Sequence, residues 1–128
     1  ASVLAMEPKV MILDEPTSFL DPMGAEKIFD VINELNKKLG ITIILIEHRL
    51  DLAAKYANSV IVMNKGKIAL RGNPREIFTS EKARLIGVGI PKSTKLYQHL
   101  VQNGFALGNV PITPKEVASL VRELIKDA

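Results

Sequence analysis

Residues 10–21 read VMILDEPTSFLD: four apolar residues run straight into two adjacent carboxylates, Asp14 and Glu15. Charge at the end of a buried segment is costly unless something positive sits against it. Side chains alternate along a strand, so the two acids are expected to point different ways, one toward a metal ion and its neighbour toward a water. Phosphoryl transfer needs both services: Mg²⁺ to neutralise the phosphates, and a group that orients or deprotonates the attacking water. On that chemistry Asp14 holds the metal through water and Glu15 acts on the water. Taken alone, an Asp-Glu pair supports no more than two solvated acids at a strand end.

The elements that position this pair follow from periodicity. KVMILD and ITIILIE (41–47) are continuous apolar runs, which predicts two strands of a parallel sheet buried on both faces. The carboxyl edge of such a sheet is where open α/β folds bind ligands. Asp21 and Pro22 start a helix as N-cap and first helical residue. Ile28, Val31, Ile32, Leu35 and Leu39 recur along it at helical spacing, and Gly40 closes it. HRLDLAAKYA (48–57) reads as another helix. SVIVMN and KIALRG flank Lys65-Gly66, a tight hairpin. ASVLAM reads as the end of a preceding helix. The first 72 residues thus run helix, strand, helix, strand, helix, hairpin, an α/β pattern.

The remainder is helical. Asn73-Pro74-Arg75-Glu76 caps a short helix, and GVGIPKST (87–94) is a loop. Residues 94–104 form a helix ending at Gly104. Thr113-Pro114-Lys115-Glu116 is a capping box that opens a last helix, with Val117, Leu120, Val121, Leu124 and Ile125 as one apolar stripe. The division expected is a core of 1–78 and a helical appendage of 79–128.

Composition excludes several classes. The 128 residues include no cysteine, so disulfides and Cys-ligated metals are ruled out. No apolar run reaches the ~20 residues that span a bilayer, and no signal peptide is read. The net charge of +3 comes from interspersed acids and bases, which leaves no basic block for nucleic acid.

VMILDEPTSFLD resembles the Walker B segment and D-loop of ABC-type ATPases: four apolar residues, Asp, Glu, Pro, then Ser-x-Leu-Asp. His48 falls directly after the next strand, where that family carries its switch histidine. VIVMNKGKIALRGNPREIF resembles the family's hairpin and following helix, and ASVLAMEP the end of the helix after its signature loop. The resemblance implies the C-terminal part of a P-loop NTPase domain with a parallel sheet core and a helical appendage. It implies ATP and Mg²⁺ as cofactors, Asp14 as the metal-associated acid, Glu15 as catalytic base and His48 as the residue that senses the γ-phosphate. Ser18 to Asp21 become the D-loop, which in the family crosses a dimer interface. Phe19 departs from the Ala common at that place, which puts the packing of that interface in doubt.

The family's phosphate cradle, G-x-x-x-x-G-K-[ST], has no match in these residues. GVGIPKST comes nearest, but Pro91 stands before Lys92 where Gly is required. The signature loop and the Gln that links ATP to the membrane partner are also absent. The expectation is a chain that begins just past the signature loop and is inactive alone. IGVGIPKSTKLYQHLVQNGFALGNVPITPKEVASLVRELIKD is similar to the C-terminal extension of the energy-coupling-factor ATPases of cobalt, nickel and vitamin uptake. That resemblance implies a second ATPase subunit, transmembrane partners and a place on the cytoplasmic face of the membrane. Alternatives are half of an SMC-like chromosome ATPase, or a non-catalytic dimerisation or regulatory module. His99 is read as a surface or helix-packing residue.

Overall fold

The computed structural model describes residues 6–105 and 107–126. The helix end expected from ASVLAM lies, except for Met6, outside the described residues. The chain divides into two compact units, residues 1–49 and 50–128.

In the first unit β1 (Val10–Asp14) and β2 (Thr42–Ile46) pair in parallel, Val10 opposite Thr42 through Asp14 opposite Ile46. A parallel pair needs a crossover, and α1 (Pro22–Leu39) supplies it. The Asp21 side chain accepts the Gly24 N–H at 2.6 Å, and Pro22 occupies the first turn, where a missing N–H costs nothing. At the far end Gly40 takes the left-handed conformation (φ +64°) and its N–H bonds the Asn36 carbonyl. Lys37 and Lys38 in the last turn suit the negative end of the helix dipole.

The buried face of the helix coincides with the expected stripe only in part: Ile32 is buried and Ile28 and Leu35 half-buried, but the centre of the face lies elsewhere. Ala25, Phe29 and Ile32 are buried, whereas Val31 and Leu39 are more than half exposed. Positions 25, 29 and 32 lie one above another at i, i+4 and i+7, and Phe29 supplies the bulk that fixes the contact face. The strands also differ from expectation, since only one face is covered. Val10, Ile12, Ile44 and Ile46 are 47–64% exposed, while Met11, Leu13, Ile43 and Leu45 are buried or half-buried. A two-stranded sheet with one helix packed on it has a single inner face, so burial follows the two-residue period of the pleat.

The second unit begins with α2 (Leu50–Tyr56), shorter than the helix expected over 48–57. It continues with the antiparallel hairpin of β3 (Val60–Asn64) and β4 (Lys67–Gly72), then α3 (Pro74–Phe78) and α4 (Glu81–Leu85). Lys65 and Gly66 both have positive φ, 49° and 74°, the two-residue turn whose twist matches the strands. A bulge between Val62 and Met63 shifts the register. Asn73 and Glu76 form a full capping box on α3. Ala54, Ile77, Phe78, Ala83 and Ile112 make the core of this unit.

α5 (Lys92–Gln102) starts two residues earlier than expected, so the end of GVGIPKST is helix and not loop. Asp51 caps it from outside: its Oδ1 accepts the Lys92 N–H at 2.8 Å. The last helix, α6 (Pro114–Lys126), has only half of the expected box. Thr113 Oγ1 accepts the Glu116 N–H at 3.4 Å, but the Glu116 carboxylate turns elsewhere, to the Ile112 N–H and to Arg75 at 2.7 Å. Arg75 also donates to the Val110 carbonyl, which ties α3 to the start of α6.

Burial alone would raise the Glu116 carboxyl, but the Ile112 N–H and the Arg75 guanidinium outweigh it and hold the group below the usual carboxylate range. A carboxyl depressed on folding binds fewer protons folded than unfolded. Its stabilisation is complete above the unfolded pKa, roughly 4.3, and is lost as pH falls through the folded value. Glu116→Gln should therefore be less stable than the parent at neutral pH, with the gap closing as the pH falls below the unfolded pKa and through the lower folded one. Chemical denaturation at a series of pH values checks this, and a gap that widens on acidification would contradict it.

Candidate active site

The first unit brings Asp14, Glu15, Thr17, Ser18, Glu47 and His48 to the carboxyl edge of the parallel pair. Asp14 is the last residue of β1. It is exposed and makes no side-chain hydrogen bond or ion pair among the described residues. Glu15 lies beyond the strand and not within it. Its N–H still bonds the Ile46 carbonyl at 2.8 Å, but its backbone is left-handed, φ +43°. The alternation expected of the two acids thus does not apply: a left-handed residue, not the pleat, sets where Glu15 points. Such a conformation in a side-chain-bearing residue costs on the order of 1–3 kcal/mol and is concentrated at functional sites.

The turn after Glu15 is closed by the Ser18 N–H and hydroxyl, both donating to the Glu15 carbonyl at 3.2 and 3.1 Å. His48 follows β2 in a loop before α2. Its Nδ1 stands 3.6 Å from Glu15 Oε1 and 3.5 Å from Glu47 Oε1. The Glu15 and His48 side chains are 51% and 65% exposed, open to an incoming ligand. Asp21 stands apart from this group, its carboxylate committed to the N-terminus of α1. Phe19 is fully exposed between them. His99, in the second unit, is exposed on α5, as expected of a surface residue.

Glu47 is the residue that sequence reasoning passed over. Its side chain is only 4% exposed. Its carboxylate accepts the Thr17 hydroxyl at 2.8 Å and the N–H groups of His48 and Arg49 at 2.9 and 3.0 Å. Burial pushes its pKa up, and these donors together with the nearby His48 more than reverse that, leaving it below the usual range. The one available signal was an acid that ends an apolar strand, the feature that marked Asp14.

No group of three or more His, Cys, Asp or Glu suited to a metal occurs among the described residues. Mg²⁺ does not require one, because it binds through one or two carboxylates and completes its shell with waters and phosphates. The unengaged Asp14 carboxylate fits that pattern.

No protein-family model matches the chain. It is 41% identical over 124 residues to the energy-coupling factor transporter ATP-binding protein EcfA2 of Latilactobacillus sakei, covering 96% of this chain and 43% of that protein. Among solved structures it is similar to cbiO1 from Clostridium perfringens, part of the ABC transporter complex cbiONQ. There the identity is 42% and the TM-score 0.59 over 78% of this chain and 39% of that one. The chain has the fold of part of an ABC ATPase domain. A dimeric ATP-binding cassette solved in a post-hydrolysis state with ADP and phosphate is a further neighbour of this ATPase fold, at 27% identity and TM-score 0.52 over 56% of this chain and 30% of that one. The chain spans less than half the length of the relatives it matches.

Proposed function

We propose that this chain supplies the hydrolytic edge of an ATP-binding subunit that powers uptake of a metal ion such as cobalt or nickel, or of a vitamin, through an energy-coupling-factor transporter. The observation that carries the reading is the Glu15–His48 pair, 3.6 Å apart on the loops that leave two parallel strands. Glu15 accepts a proton from the attacking water at its carboxylate. His48 presents its imidazole beside that carboxylate, in reach of a terminal phosphate oxygen. Asp14 would hold Mg²⁺ through water, and the ion would supply charge neutralisation of the phosphates. Ser18 to Asp21, with Phe19 outermost, would face the nucleotide across a subunit interface.

The names of similar proteins, a transporter ATP-binding protein, a part of an ABC transporter complex and a dimeric ATP-binding cassette, support an assembly with a second ATPase subunit, homologous or identical; in this reading transmembrane subunits select the cargo. No helix among the described residues is long and apolar enough to cross a membrane, which suits a subunit peripheral to its cytoplasmic face. In this reading residues 1–78 are part of the ATPase core and 79–128 a helical extension used for pairing. The uncovered apolar face of β1 and β2 suits a sheet that more of an ATPase domain would complete.

The 128 residues contain no glycine-rich phosphate cradle, and without one the phosphates are not held against the acids. The chain by itself is therefore expected to release no phosphate from Mg-ATP above background, while the complete ATPase with its membrane partners turns over ATP and accumulates cargo in vesicles. Phosphate release by the 128 residues alone that disappears in Glu15→Gln would overturn the first expectation. A complete protein without Mg-ATP turnover would overturn the second.

A further inference from the structure

We infer that Glu47 is a positioning residue that sets the separation of Glu15 and His48, an inference that rests on the hydrolytic role proposed for that pair. Glu47 is given no part in the proton transfer proposed for Glu15. Its buried carboxylate instead joins two loops that are 30 residues apart in sequence. Oε2 accepts the hydroxyl of Thr17, which is itself fully buried, and Oε1 accepts the two successive N–H groups of the His48 turn. Thr17 is two residues from Glu15, inside a turn closed onto the Glu15 carbonyl, so fixing Thr17 fixes the base. A second tie runs alongside the first: Arg49 Nη2 donates to the Leu20 carbonyl at 2.8 Å. The base and the histidine are thus held by their immediate neighbours. Both are more than half exposed, and the closest approach between them is 3.6 Å, too long for a hydrogen bond of their own to fix it. Displacements of about 1 Å in such a site cost up to roughly 10²-fold in rate.

The variants separate geometry from charge. In Glu47→Gln the remaining carbonyl oxygen still accepts the two N–H groups, and the amide N–H meets the Thr17 hydroxyl, which turns to accept. In Glu47→Ala the tie is gone. In the complete ATPase with its membrane partners, Glu47→Ala is expected to lower kcat roughly tenfold with KM for Mg-ATP within about twofold. Glu47→Gln should recover most of that loss. Thr17→Val, which removes one of the three bonds to Glu47, should impose part of the Ala defect, and the Thr17→Val, Glu47→Ala double variant should be no more than about twofold worse than Glu47→Ala, because the bond they share is already gone in that variant. The inference falls if Glu47→Ala keeps kcat within twofold, if Gln is as impaired as Ala, or if the two single defects multiply. It also falls if Glu47→Ala raises KM and lowers the melting temperature without a change in kcat. Glu15→Gln is measured alongside. Normal turnover in that variant would overturn the hydrolytic reading itself, whereas a Glu15→Gln defect with normal Glu47→Ala kinetics would overturn only this inference.

Discussion

Glu15→Gln in the complete ATPase should bind Mg-ATP almost as well as the parent yet turn over roughly 10²-fold more slowly or worse, the range for loss of a general base. The amide preserves size and the left-handed backbone position but cannot take a proton. The defect should appear in kcat and leave KM nearly untouched, as expected when an interaction is lost only in the transition state. Asp14→Asn should behave differently. Asp14 is exposed at the end of β1 with no partner among the described residues, so its loss should weaken Mg-nucleotide binding as well as turnover. Nucleotide binding and phosphate release measured on both variants decide the matter. Equal loss of binding in the two, with no selective rate defect in either, would show that the acids do not divide the work in this way.

Charges placed on α6 should break a dimer without unfolding the protein. The helix is held at its N-terminus by polar ties, Arg75 to Glu116 and Glu116 to the Ile112 N–H. None of its residues is fully buried among the described residues: Leu120 and Leu124 are half-buried, Val121 is 36% and Ile125 71% exposed. A well-formed helix with an apolar stripe that its own unit leaves partly open is what a pairing surface requires. Burying a Leu contributes roughly 1.5–3 kcal/mol, so Leu120→Glu with Leu124→Glu should weaken self-association of the complete ATPase by roughly 10²- to 10⁴-fold. Sedimentation at graded concentrations reads the effect. An unchanged dimer population with a lowered melting temperature would show instead that the stripe packs only within its own chain.

Several features were legible because their causes are local. Asp21, Pro22 and Gly40 bound α1 through contacts no more than four residues away. Lys65-Gly66 closes its hairpin by backbone conformation alone. Asn73 and Glu76 cap α3 across three residues. The adjacency of Asp14 and Glu15, and the arrival of His48 after the second apolar run, were visible as residue types in order along the chain. What singled them out as candidates was that order and its resemblance to the motifs of ABC ATPases, together with the parallel pairing that two apolar runs and one intervening helix imply.

Other features were invisible because their partners lie far away in sequence. Glu116 follows a capping pattern by spacing, yet a guanidinium 41 residues earlier draws its carboxylate out of the box. Asp51 reads as an ordinary helical acid, and only the fold shows that it caps α5 from another helix. Helical spacing determined that α1 would be amphipathic. Packing against a two-stranded sheet decided that Ala25 and Phe29 would join Ile32 on the inner face, while Val31 and Leu39 stayed exposed. The sequence by itself determined which acids and which histidine stand at the ends of the two parallel strands. Only the tertiary structure decided that the buried Glu47 carboxylate joins Thr17 to the His48 turn beside them, since a carboxylate's role is set by the donors that folding brings to it.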